Sequence, residues 1–185
     1  MSYLRTFAPW IVYAVIPSAD WNWGALAALV VALLVIFQQT RAGRTLDAQM
    51  IEIGSAAFFA AITVLAFADP HTALHPYGPA LSSAALALIA GASLAAKRPF
   101  TLGIARQSTP REYWDQPLFI RTNVIITAVW TASFTIGAAA LAASAHDSTV
   151  RTVVQVAAFV VPMVFTVRYS EHVRNRTAAL RNSAA

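Results

Sequence analysis

The sequence contains no cysteine and few charged residues. Asp, Glu, Lys and Arg together make up 11% of the 185 residues. The absence of cysteine from this chain excludes disulfides, thiolate metal sites and cysteine nucleophiles. Soluble domains carry about a quarter charged residues, so the low charge content argues against an ordinary water-soluble domain.

In place of charge, the chain has long apolar runs. Six of them approach the roughly 20 residues that a helix needs to cross a bilayer: 6–19, 23–37, 50–68, 79–96, 124–145 and 152–167. The runs do not alternate as barrel strands do, and a spanning segment must satisfy its own backbone. The sequence predicts an all-α, polytopic helical membrane protein of one domain, 1–185. It has about six transmembrane helices, the first one short, a cytoplasmic interfacial loop and a cytoplasmic tail, 168–185.

The cations lie almost entirely on one side of the predicted membrane. Of the 13 lysines and arginines, Arg151 alone falls in a loop of the opposite side. Loops rich in lysine and arginine face the cytoplasm. We therefore expect the N-terminus and the C-terminus in the cytoplasm of a multi-pass protein of the bacterial inner membrane, with 69–78 and 146–151 outside.

The largest basic connection, "AAKRPFTLGIARQSTPREYWDQPLFIRTN", joins the fourth and fifth runs. Thr109 and Glu112 flank Pro110 in the pattern of a capping box, which predicts a short helix from Pro110 to about Pro117. The aromatic and apolar residues of the connection are expected to face the head groups and lipid; they are Phe100, Leu102, Ile104, Tyr113, Trp114 and Phe119.

This connection carries the candidate contacts to anionic lipid head groups or to a partner. The residues are Lys97, Arg98, Arg106, Arg111, Tyr113, Trp114 and Arg121. A cation near an anionic membrane surface contributes about 1 kcal/mol. An acidic cytoplasmic partner protein is an equal alternative, and nucleic acid is not expected.

Polar residues recur every four positions along the fifth run, at Asn123, Thr127, Thr131 and Thr135, with Trp130 beside them. This spacing keeps side chains on one side of a helix. The stripe is a candidate cavity lining. The alternative is hydrogen bonding between helices, or from each threonine to its own helix.

Small residues recur at the same spacing in the fourth run, at Ser83, Ala87, Gly91 and Ala95. Small side chains allow helix backbones to approach closely in lipid. The pattern predicts a packing face.

Glu52 is the one ionisable residue inside the six runs. An intramembrane carboxylate indicates a proton or ion pathway, whereas its place in a first helical turn favours an ion pair with Arg41 or Arg44, or stabilisation by the helix dipole. His71 and His75 lack the further ligands of a structural zinc site. We expect no metal, no other cofactor and no catalytic residues.

The order of these parts resembles the intracellular septation protein A family of small bacterial inner-membrane proteins. The resemblance rests on the opening "FAPWIVYAV", the turn and helix "ADWNWGALAALVVALLV", the hinge "QQTRAGR", the step from Lys97 to Phe100, the loop "STPREYW", and a helix with Asn123, Trp130, Phe134 and Gly137. It implies a role in the cell envelope and in septation, exerted through contacts with other membrane proteins.

Two functions from different classes follow. The first is a non-catalytic, septation-related envelope factor that binds membrane partners or itself. The second is a small transporter or channel for a neutral or weakly polar substrate, lined by the stripe of the fifth helix. The other predicted helices have no charged residue in their middle, which disfavours an ion pump. An enzyme acting on lipid is a third alternative.

Overall fold

The computed structural model describes residues 2–16, 20–44 and 49–183, with side chains from residue 5 to residue 177 within those ranges. All regular structure in these ranges is helical, which confirms the predicted all-α class. The α-helices are α1 (Ser2–Val15), α2 (Trp21–Arg41), α3 (Met50–Ala68), α4 (Gly78–Ala95), α5 (Phe100–Ala105), α6 (Pro117–Ala143) and α7 (Ser148–Ser183). Two 3₁₀ turns, His75–Tyr77 and Arg111–Tyr113, precede α4 and α6.

Five helices within the described ranges are long and apolar enough to cross a bilayer: α2, α3, α4, α6 and α7. They indicate a membrane-embedded protein. α1 has 14 residues, which corresponds to about 21 Å, against a hydrocarbon core about 30 Å thick. It is the short first helix that the sequence predicts, and the end of its predicted range, 17–19, lies outside the described residues.

Several helix ends differ from prediction because polar residues extend the apolar runs. α3 coincides with 50–68, and α4 is shifted by one residue from 79–96. α2 starts at Trp21 and continues to Arg41, beyond the predicted range of 23–37.

α6 also starts earlier than the predicted 124–145, at Pro117. Gln116 before it has an extended backbone. A proline suits the first helical position, because its missing N–H needs no partner there. The helix therefore takes in Arg121 and Asn123, which a count of apolar residues leaves in the loop.

The last helix is much longer than the predicted 152–167. The Asp147 carboxylate accepts the N–H groups of Thr149 and Val150, both at 3.0 Å, and so caps its start. α7 then continues to Ser183, 36 residues in all, or about 54 Å. The separate tail predicted from 168 is thus corrected to a continuation of the helix, since arginine and alanine favour helix outside lipid as well.

α5 is the main correction to the connection between α4 and α6. Phe100, Leu102 and Ile104, expected to face lipid, are buried against the rest of the protein. The Ser93 hydroxyl oxygen accepts the N–H of Phe100 at 3.1 Å. This bond ties the first residue of α5 to α4 and turns the segment inward.

The capping box predicted at Thr109 does not form. The turn Arg111–Tyr113 follows Pro110 without a side-chain cap. The Thr109 carbonyl accepts the indole N–H of Trp114 at 2.9 Å instead. One 3₁₀ turn therefore stands where the sequence predicts a short helix.

α1 lies between two groups of helices. α2 packs against α3 on one side, and α6 packs against both α4 and α7 on the other. The Phe7 ring stacks on Trp130 of α6 with 5.4 Å between the ring centroids. It also contacts Phe159 of α7 edge-on, with 4.8 Å between the centroids. Trp10 contacts the Phe59 ring of α3 at 4.7 Å. Such aromatic pairs contribute about 0.5–1.5 kcal/mol beyond burial, so α1 joins the two groups.

The two ends of α1 contact different parts of the chain. Near its start, Arg5 donates a hydrogen bond to Gln107, just after α5, at 3.1 Å. Near its end, the Tyr13 hydroxyl oxygen lies 3.2 Å from where a Cβ on Gly78 would stand. Gly78 begins α4 and α5 follows its other end. α1 therefore has one end beside the residues that follow α5 and the other beside the start of α4.

A close crossing of α6 and α7 lies at Gly137. A Cβ built there would stand 2.9 Å from the Ala158 Cβ, closer than real Cβ contacts. On the predicted packing face of α4, a Cβ on Gly91 would lie 3.6 Å from the Thr131 methyl group, an ordinary contact. The α4 face does meet α6, but the tighter approach occurs at Gly137.

Candidate functional site

α2 ends in a Schellman turn that positions Arg44. Gly43 has φ 78° and donates its N–H to the Thr40 carbonyl at 3.0 Å, and Arg44 donates its own to Gln39 at 3.1 Å. Glycine suits the left-handed position because it has no Cβ. Arg44 is thereby held immediately beyond the helix.

α4 ends in the same turn with a lysine at the left-handed position. Lys97 has φ 56°, and the N–H groups of Lys97 and Arg98 bond the carbonyls of Leu94 and Ser93, both at 2.9 Å. A non-glycine residue in this conformation costs about 1–2 kcal/mol. Arg98 occupies the position that Arg44 has after α2.

Both arginines line a cleft of about 600 Å³, here called the basic cleft. Its charged lining consists of Arg44, Lys97, Arg98, Arg106 and the carboxylate of Glu52. Its apolar lining includes Met50, Ile51, Phe100, Leu102, Ile104 and Ile120. A surface with excess positive charge attracts anions, and the apolar part suits a ligand that also has a hydrocarbon portion.

Glu52 is held in this lining by two side chains, one of which also bonds Arg44. Its Oε1 accepts hydrogen bonds from the Thr6 hydroxyl at 3.1 Å and from Gln39 Nε2 at 2.8 Å. Gln39 Oε1 in turn accepts one from Arg44 at 2.7 Å. The direct ion pair that the sequence suggests is thus replaced, among the described residues, by a relay through Gln39.

Three buried polar atoms near the cleft have no hydrogen-bond partner among the residues that the structure describes. They are Glu52 Oε2, Arg106 Nε and Gln49 Oε1. An unpaired buried group costs about 1–3 kcal/mol, and more when it is charged. Glu52 and Arg106 both belong to the cleft lining, so two of the three unpartnered atoms lie on residues that border the cleft, although the atoms themselves are covered.

Burial and a neighbouring cation both act on Arg44 at the edge of the cleft. The pKa of Arg44 is lowered, chiefly by burial and then by repulsion from Arg5, while the Glu52 carboxylate opposes the shift. Burial penalises a charged group, and a neighbouring like charge does so too. A bound anion would offset the repulsion between Arg5 and Arg44.

Trp114 borders the cleft between two arginines. The Arg106 guanidinium lies 5.1 Å from the centroid of the indole, and that of Arg111 lies 5.6 Å away. Both are within the range of a cation–π interaction. The contacts hold the loop before α6 beside the cleft.

The structure brings together some of the residues predicted as lipid or partner contacts and not others. Lys97, Arg98, Arg106 and Trp114 line the cleft, and Arg111 contacts it through Trp114. Tyr113 and Arg121 are not part of the lining. Sequence reasoning missed Thr6 and Gln39, which no local pattern connects to Glu52.

The polar stripe of α6 does not contribute to the lining of the basic cleft, and its first residues are packed against neighbouring helices. Thr101 of α5 bonds the Thr127 hydroxyl at 2.8 Å and the Asn123 carbonyl at 2.9 Å. The Trp130 indole N–H donates to Thr166 of α7 at 3.0 Å.

The remaining threonines of the stripe bond their own helix. The Thr131 hydroxyl donates to the Thr127 carbonyl at 2.9 Å, and that of Thr135 donates to the Thr131 carbonyl at 2.8 Å. Thr135 is exposed on the outside of α6. The contacts of the stripe are therefore those of the alternative, helix packing and internal hydrogen bonds, and the cavity lining stays a prediction.

A second groove, of about 430 Å³, lies between α1, α4 and α7 and is mostly apolar. Trp10, Leu86, Phe134 and Phe159 are among its walls. Ser82 also lines it, and the Ser82 hydroxyl has no partner among the described residues.

No group of three or more His, Cys, Asp or Glu residues in the described ranges could hold a metal ion. Comparison with protein-family models, curated proteins and solved structures found no match to this chain. Fold and cleft define a helical protein with apolar, membrane-compatible helices and a basic site. The resemblance to the septation family rests on layout alone.

Proposed function

We propose that the protein is a non-catalytic, multi-pass protein of the bacterial cytoplasmic membrane that binds phosphate-bearing lipid head groups in the basic cleft. The observation that carries the proposal is the combination of four cations with an apolar lining in one cleft. A phosphate accepts hydrogen bonds from guanidinium and ammonium groups, and acyl chains suit the apolar side chains.

The orientation of the chain supports a cytoplasmic cleft. Lys97, Arg98 and Arg106 belong to the connection richest in cations. Under the positive-inside rule this connection faces the cytoplasm, together with both termini. The cleft then lies on the leaflet whose anionic lipids attract basic segments.

A lipid explains the lining better than a soluble anion does. A free anion needs cations but gains nothing from Phe100 or Ile104. Burial of apolar surface contributes about 25 cal/mol per Å². An amphiphile uses both parts of the cleft.

In the cell, we propose that the lipid-bound protein acts in the envelope and in septation through membrane partners or a second copy of itself. The resemblance in layout supports this role. Only 17% of the most apolar stretch of α7 is buried, so this helix leaves a large surface open to lipid, to a membrane partner or to a second copy.

Native mass spectrometry of the detergent-purified protein tests lipid binding. The probes are phosphatidylglycerol, and diacylglycerol, which lacks the phosphate. Wild-type protein should retain phosphatidylglycerol preferentially, and the double variant Arg44→Gln/Arg106→Gln should bind it at least about tenfold more weakly, since each charged hydrogen bond contributes about 1.5–3 kcal/mol.

The matched control is Arg168→Gln/Arg174→Gln, which removes two exposed arginines of α7 and should leave affinity unchanged. Equal loss in both double variants would mean general electrostatic attraction and would overturn the cleft as the site. Equal affinity for glycerol phosphate and for the lipid would assign the cleft to a soluble anion.

A further inference from the structure

The basic cleft contains a buried acceptor as well as a buried donor without a partner in the described part of the chain. The acceptor is Glu52 Oε2 and the donor is Arg106 Nε. Glu52 is only 5% exposed. A ligand that fits this cleft must therefore supply a hydrogen-bond donor in addition to an anion.

A purely anionic head group satisfies only half of this arrangement. Its phosphate can accept from Arg106, but it is repelled by the carboxylate of Glu52. An ammonium group beside the phosphate would turn this repulsion into attraction and would donate N–H bonds to the free oxygen.

The orientation of the carboxylate is fixed on the other side. Thr6 and Gln39 both bond Oε1, at 3.1 and 2.8 Å. Oε2 is therefore the oxygen left for a ligand. Both unpartnered atoms are covered by neighbouring side chains, so binding requires side chains of the lining to shift.

We propose that the cleft selects a dipolar head group in which a primary ammonium is joined to a phosphodiester, as in phosphatidylethanolamine. The ammonium donates to Glu52 Oε2, and the phosphate accepts from Arg106 with the charge of Arg44, Lys97 and Arg98 around it. This inference rests on the proposed function, because it names the class of lipid that the same cleft takes.

The test compares lipids that differ only in N–H donors, by native mass spectrometry of the full chain. The series is phosphatidylethanolamine, its N-methyl and N,N-dimethyl forms, and phosphatidylcholine. Wild-type protein should bind phosphatidylethanolamine at least about tenfold more tightly than phosphatidylcholine, as expected for a charged hydrogen bond. The main loss should come with the third methyl group, which removes the last N–H.

Glu52→Gln replaces the carboxylate by an amide of nearly the same size, so that an NH₂ group takes the place of the acceptor oxygen Oε2. Its affinity for phosphatidylethanolamine should fall to that for phosphatidylcholine, whereas Glu171→Gln, at an exposed carboxylate of α7, should retain the full preference. If Glu52→Gln does not fold, as judged by its melting temperature, the wild-type methylation series decides by itself.

The two proposals fail in different ways. Equal wild-type affinity for phosphatidylethanolamine and phosphatidylcholine, both above diacylglycerol, would overturn the dipolar inference and leave phosphate binding intact. Affinities no higher than that for diacylglycerol would overturn the proposed function itself. Equal competition by glycerophosphoethanolamine would assign the site to a soluble ligand.

Discussion

Ser133 of α6 donates its hydroxyl proton to the carbonyl oxygen of Ala158 in α7, at 3.0 Å. Four residues after Ala158 stands Pro162, which lacks the N–H that would otherwise bond this carbonyl. The neighbouring helix therefore supplies the hydrogen bond that the proline removes. Gly137, one turn along α6, keeps the two backbones close at the same crossing.

This relationship predicts a coupling between Ser133 and Pro162. Ser133→Ala should lower the free energy of unfolding by about 1 kcal/mol in lipid or detergent. In the Pro162→Ala background the cost should be smaller, because the new backbone N–H at position 162 can bond the Ala158 carbonyl. Reversible unfolding in mixed micelles measures the four free energies of the cycle. Strict additivity would show that the hydroxyl does not replace the missing bond.

Gly137→Ala should destabilise the protein by about 1–3 kcal/mol, since the added methyl group overpacks the crossing with Ala158. Gly91→Ala is the matched control, because the new Cβ has ordinary room beside Thr131. It should be neutral or slightly stabilising, as alanine favours helix over glycine. The measurement is the midpoint of unfolding for both variants; equal midpoints would contradict a close crossing at Gly137.

Lys97→Gly should raise stability and weaken lipid binding together. Glycine relieves the left-handed strain, which is about 1 kcal/mol, and the substitution also removes one cation from the cleft. Melting temperature and phosphatidylglycerol affinity report the two effects. Gly43→Ala, at the equivalent turn with φ 78°, should lower stability; a stable Gly43→Ala variant would argue against strain at either turn.

The absence of cysteine allows the proposed orientation to be tested by single-cysteine labelling. His71→Cys, at an exposed position of the loop predicted to lie outside, should react with a membrane-impermeant maleimide in intact spheroplasts. Asp115→Cys, exposed before α6, should react only after lysis. Both must react in lysed membranes, which controls for accessibility. Labelling of Asp115→Cys in intact spheroplasts would reverse the orientation.

Much of the fold could be predicted because a segment that crosses a lipid bilayer has to be helical. A run such as 50–68 has to be helical in lipid, and α3 has those bounds. The starts of α6 and α7 could not be read from apolar length, since α6 begins at Pro117 and the Asp147 carboxylate caps α7. The burial of Phe100 and Ile104 was also hidden, because residues facing lipid and residues facing protein are equally apolar.

The charged residues of the candidate site could be predicted from the sequence, whereas the contacts of Glu52 could not. Lys97, Arg98 and Arg106 stand out as charges in an apolar chain. Glu52 stands out for the same reason, but its role depends on Thr6 and Gln39, which come from two other helices. The unpartnered oxygen of Glu52 follows from that packing, and no spacing in the sequence indicates it.

α7 carries a further consequence for how the protein is made. Phe159 and Thr166 of α7 complete the surroundings of Trp130, which is 1% exposed. A chain emerging from the ribosome presents α7 after all the helices that it joins. Until then the indole N–H of Trp130 and the ring of Phe7 lack these partners, so both become fully packed only once α7 has been inserted.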